Sequence, residues 1–89
     1  MSKDKPYKES VSGEFFIREF SPDVDLDELK WHRDYEDRLV IPIGENDWLY
    51  QEDNSLPTPI NKEIFIKKGV WHRVIKGKAP LVIKLKKFS

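Results

Sequence analysis

The tripeptide Trp-His-Arg occurs twice, at Trp31-His32-Arg33 and Trp71-His72-Arg73, and it carries both histidines of the chain. Between the copies lie short stretches of apolar-polar alternation separated by turn residues, so the two meet if the segment folds back on itself. In Asp37-Arg38-Leu39-Val40-Ile41-Pro42-Ile43, positions 37, 39, 41 and 43 share one face of a strand. Leu39, Ile41 and Ile43 make that face apolar and place Asp37 at its rim. Residues 44–47 are expected as a hairpin loop from which Trp48-Leu49-Tyr50-Gln51 returns, and Pro42 points to an edge or a bulge. Further on, Val70, His72 and Val74 share one face while Trp71, Arg73 and Ile75 take the other. Leu81, Ile83 and Leu85 then alternate with Lys84 and Lys86.

The remaining segments extend the same pattern. Residues 1–12 are polar and lysine-rich and are expected as a flexible arm. Residues 14–20 form an aromatic, strand-prone stretch closed by Ser21-Pro22-Asp23. Residues 24–29 suit either a helical turn or an extended segment. Residues 52–61 are expected as a connecting loop, and residues 63–67 as a strand turned by Lys68-Gly69. Many short strands with almost no helical periodicity imply an all-β fold, a small sandwich or barrel spanning 13–89. A closed barrel protects its strand edges. Eighty-nine residues suit one domain with one modest core.

Composition narrows the function classes. There is no cysteine, which removes thiolate metal sites, disulfides and cysteine nucleophiles. No apolar run suits a membrane span and the N-terminus lacks a signal-peptide pattern, so a cytoplasmic protein is expected. No glycine-rich phosphate loop or nucleophile elbow is present. Residues 1–60 hold 15 acidic and 7 basic side chains, whereas residues 61–89 hold 1 and 9. The halves therefore attract one another, within the fold or across a dimer. Zero net charge and the lack of a nucleic-acid motif argue against nucleic acid as a partner.

The spacing around the two histidines resembles that of the cupins, small jelly-roll barrels with two metal-ligand motifs. The first cupin motif ends His-x4-Glu-x6-Gly, and His32-x4-Asp37-x6-Gly44 keeps that spacing with Asp for Glu. The second motif's turn glycine and histidine match Gly69 and His72, but its proline and flanking Gly and Asn are replaced by Lys67, Asn61 and Lys76. Lys30 stands where the first motif has another histidine. The resemblance covers roughly residues 30–85 and implies a cupin-like barrel of short antiparallel strands. It also implies that His32, Asp37 and His72 converge on a divalent metal ion, iron(II), manganese, nickel or zinc, or that the barrel holds none. The alternation independently places His72 and Asp37 on apolar faces. A second trio uses Asp34 in place of Asp37, because His32-x-Asp34 with a distant histidine resembles the oxoglutarate-dependent dioxygenases.

A ligand of such a centre is expected to be a small anionic molecule. Lys30, Arg33, Arg38 and Arg73 lie near the three ligands in sequence, and Trp48, Tyr50 and Gln51 offer an aromatic wall with an amide. Strict alternation nevertheless turns all three arginines away from the cup. If the histidines face in, Trp31 and Trp71 face out, where Phe15, Phe16 and Phe20 or a second subunit could cover them. The resemblance also implies a homodimer. Three functions follow: a metal-dependent dioxygenase or isomerase, a non-catalytic binder of an anionic metabolite or nucleotide, and a structural or partner-binding β-domain.

Overall fold

The computed structural model describes residues 7–24 and 29–88, and among these there is no helix. Eight strands follow in order: β1 (Tyr7–Ser12), β2 (Phe15–Phe20), β3 (Asp37–Pro42), β4 (Leu49–Glu52), β5 (Thr58–Pro59), β6 (Ile64–Ile66), β7 (His72–Ile75) and β8 (Leu81–Phe88). They form a five-stranded sheet ordered β1-β2-β8-β3-β6 and a three-stranded sheet ordered β5-β4-β7. Every pairing is antiparallel. The expected all-β barrel is therefore observed.

From β3 onward the chain repeatedly crosses from one sheet to the other, because β3, β6 and β8 belong to the large sheet and β4 and β7 to the small one. Residues 44–47 are thus not a hairpin loop but an inter-sheet crossing. Polar side chains hold the crossing: Asn46 Oδ1 accepts from Trp48 N–H, and Asp47 accepts from the N–H groups of Lys78 and Ala79. Those two hydrogen bonds hold the Asp47 carboxyl below the usual carboxylate range.

The core lies between the sheets. Phe20, Val40, Ile66, Leu81, Ile83 and Leu85 fill it from the large sheet and Tyr50 from the small one, with Trp48 and Ile60 from the connections. Strand β8 sets the phase of its neighbours, because its face of Leu81, Ile83 and Leu85 is the most apolar in the chain. Register places Val40 opposite Leu85, and Leu39 and Ile41 opposite Lys86 and Lys84. Strand β3 therefore turns Arg38 and Val40 inward. Leu39, Ile41 and Asp37 point outward, the reverse of the expected phase, and Ile43 is exposed.

Residues 7–12 fall within the expected arm yet pair with β2 along their whole length. Gly13, at φ 62°, makes the turn in the left-handed region that glycine tolerates. The strand reads as an arm because it lies at the sheet edge and is mostly exposed. Only Tyr7 reaches the core, its ring 5.2 Å from that of Phe20. The expectation for residues 24–29 falls largely on 25–28, which lie outside the described residues.

Candidate metal centre

His32 and His72 form an antiparallel bridge: His32 N–H donates to His72 O at 3.0 Å, and His72 N–H donates to His32 O at 2.8 Å. The first Trp-His-Arg copy thereby extends the small sheet beyond β7. In an antiparallel pair, residues directly opposite share a face, so both imidazoles lie on the inner face with ring centres 4.4 Å apart. Their neighbours cross over on the outer face. Arg73 lies over the Trp31 ring and Arg33 over the Trp71 ring, at 4.8 and 5.2 Å.

The two rings are oriented in the same way. Nδ1 of His32 donates to Lys30 O at 3.0 Å, and Nδ1 of His72 donates to Val70 O at 2.8 Å. A carbonyl only accepts, so each Nδ1 carries a hydrogen, and a ring in its neutral form presents a lone pair at Nε2. Burial pushes the His72 imidazole below the usual histidine range, favouring that neutral form. Both Nε2 atoms approach the carboxylate of Asp34, with His72 3.3 Å from Oδ2 and His32 4.0 Å from Oδ1.

Asp34 is buried at 8 % exposure. Its backbone carbonyl accepts from Gly69 N–H, which ties the first motif to the turn before the second. Arg38 Nη1 lies 3.4 Å from Oδ1 and is also bonded through Nε to Glu36. Oδ2 is buried and accepts no hydrogen bond. A buried acceptor facing another acceptor is costly unless a proton or a cation lies between them.

The donor atoms of His32, Asp34 and His72 all lie within 4.8 Å of one another. Metal bonds of about 2.1 Å put neighbouring donors about 3–3.5 Å apart. The His72–Asp34 pair already stands at that spacing. The half-exposed His32 ring needs only a small approach. The three residues fit a divalent cation.

The structure distributes the other expected residues unevenly. Asp37 is not in this group; its outward Oδ1 accepts from Lys68 N–H at 2.8 Å. A cavity of about 130 Å³ opens beside the triad, and Lys30, Arg38 and Tyr50 are on its wall. Arg38 arrives there because β3 has the opposite phase from that expected. Arg33, Gln51 and Arg73 lie instead on the outer face of the small sheet, where Arg73 Nε donates to Gln51 Oε1. Trp48 is fully buried and donates from Nε1 to Ala79 O, so it packs the core rather than walling the cavity. Phe16 and Phe20 pack in or against the core and do not cover Trp31 and Trp71, which remain 39 % and 44 % exposed.

Sequence reasoning missed Arg18 and Tyr7 on the cavity wall. The signal for Arg18 was its parity with Phe16 and Phe20, a charged residue between two inward aromatics. Tyr50 is held by its hydroxyl, which donates to Glu52 at 3.0 Å. Burial and the Glu52 carboxylate push the phenol well above the usual tyrosine range, so it stays protonated.

No family model matches the chain, and no curated protein matches it. Solved structures do. Protein NMB1881 from Neisseria meningitidis superposes with a TM-score of 0.60 at 15 % identity, over 100 % of this chain and 89 % of that one. A cupin domain from Bordetella pertussis gives 0.62 at 17 % identity over 99 % and 100 %. HppE in its Fe(II) form gives 0.63 at 15 % identity over 92 % of this chain and 48 % of that one. The fold is cupin-like.

Proposed function

We propose that this cupin-like barrel binds a divalent metal ion through Nε2 of His32, Nε2 of His72 and the carboxylate of Asp34. The observation that carries the reading is Asp34 Oδ2, buried, without a hydrogen-bond donor and 3.3 Å from a nitrogen lone pair. Two imidazoles and one carboxylate suit iron(II) first, with manganese, nickel and zinc also accommodated. The similarity to HppE in its Fe(II) form supports this choice at the level of fold.

When bound, such an ion supplies Lewis acidity or redox capacity at coordination positions left over for a ligand. The protein's own groups do the rest. The Nδ1–H bonds to Lys30 O and Val70 O fix both ring planes. Arg38 orients Asp34 and offsets part of the carboxylate charge. Lys30 places a cation beside the cavity, which favours a small anionic ligand, and protonated Tyr50 stands close to His72, their ring centres 5.8 Å apart. The reaction class that suits this arrangement is that of a dioxygenase or isomerase, with ligand capture without turnover as the alternative. A homodimer through the exposed Trp31 and Trp71 belongs to the same reading.

The Asp34–Arg38 ion pair favours a second, structural reading, in which Arg38 alone compensates the buried carboxylate. Elemental analysis of untagged protein, after incubation with iron(II) under anaerobic conditions or with zinc, separates the two. Near-stoichiometric metal that is lost in His32→Ala, Asp34→Ala and His72→Ala supports the metal centre. No uptake by the folded wild type leaves the structural reading.

A further inference from the structure

We infer that the cavity beside the triad takes the apolar body, about the size of a benzene ring, of a small carboxylate whose head lies at His32, Asp34 and His72. The placement of the head rests on the metal reading, whereas the size and character of the body rest on the cavity itself.

The cavity measures about 130 Å³, close to the roughly 150 Å³ apolar cavity that admits benzene in a protein core. Val40, Ile64, Ile66, Val74, Ile83 and Leu85 supply much of its wall. The charged groups on that wall are largely engaged. Arg38 is paired with Asp34 and Glu36, and Arg18 is paired with Glu9 and lies over the Tyr7 ring. The Tyr50 hydroxyl is held by Glu52. Lys30 makes no ion pair among the described residues, and it lines the same cavity as the triad.

A ligand body entering this space meets aliphatic carbon, so hydroxyl groups on it would be left unpaired. A nucleotide is also far too large for the cavity. The aliphatic part of the wall therefore favours an aryl or branched aliphatic body over a sugar or a nucleotide. At the triad, a dication together with Lys30 calls for an anionic head, and a carboxylate, with two oxygens, can meet both.

The test uses full-length protein with its Ile, Leu and Val methyl groups labelled for NMR, loaded with zinc and titrated with benzoate, acetate or adenosine monophosphate. Zinc uptake is measured first in the same sample. Benzoate is expected to shift the methyl signals of Ile64, Ile66 and Ile83 and to bind at least ten-fold more tightly than acetate, while the nucleotide leaves those methyls unmoved. Val74→Phe, filling the cavity, should abolish the preference for benzoate with zinc content unchanged. Equal affinity for benzoate and acetate, with the deep methyls unmoved in zinc-loaded wild type, overturns the inference while the metal centre stands. Failure to take up zinc overturns the metal reading and the placement of the head. Benzene added to zinc-free protein then decides the body: shifts at the same methyls support it, and their absence overturns it.

Discussion

The guanidinium of Arg73 lies 4.8 Å from the centre of the Trp31 ring, and the pair forms because His32 and His72 bridge in antiparallel register. Reversing direction about a central histidine brings the first residue of one Trp-His-Arg copy opposite the last residue of the other. One sequence written twice therefore yields two imidazoles on the inner face and two crossed indole–guanidinium stacks on the outer one. The outer stacks clamp the same bridge that holds the two inward imidazoles together.

Trp31→Ala removes one stack. An exposed cation–π contact contributes about 0.5–1 kcal/mol, so urea denaturation should show a loss of about that size. Sedimentation equilibrium on wild type and the same variant tests the proposed homodimer. A shift toward monomer is expected, and an unchanged profile would remove Trp31 from the interface.

Asp34 and Asp37 should separate cleanly. Asp37→Ala deletes the acceptor of Lys68 N–H, a loss of about 0.5–1.5 kcal/mol in stability, with metal content unchanged. Asp34→Ala should abolish metal uptake. Denaturation and elemental analysis of the two variants side by side check both outcomes, and metal loss in Asp37→Ala would reverse the assignment.

Stability without metal should depend on pH through His72. Its folded-state pKa is depressed by burial from the ordinary 6.5, so between the two values the unfolded chain binds more protons than the folded one. The contribution is therefore complete above about pH 6.5 and is lost as pH falls through the lower, folded value. Thermal melts of metal-free protein from pH 7.5 downward should show the loss, and the His72→Gln variant should show a shallower slope over that window.

At Gly77 an added Cβ would overlap both the carboxylate and the backbone carbonyl of Asp47. Gly77→Ala should cost about 1–3 kcal/mol, as forced overpacking does. The Asp47 carboxylate that holds Lys78 and Ala79 must then move. Asp47→Ala/Gly77→Ala should recover only part of the loss, because the clash with the carbonyl remains. Chemical denaturation of the two variants measures it.

Much of the fold was legible from local pattern. The alternation in residues 70–75 put His72 and Val74 on one face and Trp71 and Arg73 on the other, as observed, and the apolar face of β8 is where the core lies. The cupin-like spacing around the histidines also pointed to the right barrel. The crossing at 44–47 was not legible, since a turn sequence does not say to which sheet the next strand returns. Nor was β1, whose single core residue is too little to distinguish an edge strand from an arm.

The residues by themselves determined that there would be strands, which positions would share a face, and that two histidines with identical neighbours would be available to meet. Only the tertiary structure decided which carboxylate joins them. In residues 37–43 both faces carry apolar side chains, and a period of two says which residues go together without saying which set faces the core. Pairing with β8 settled it by setting Val40 against Leu85. That choice turned Asp37 outward to Lys68 and brought Arg38 inward to Asp34.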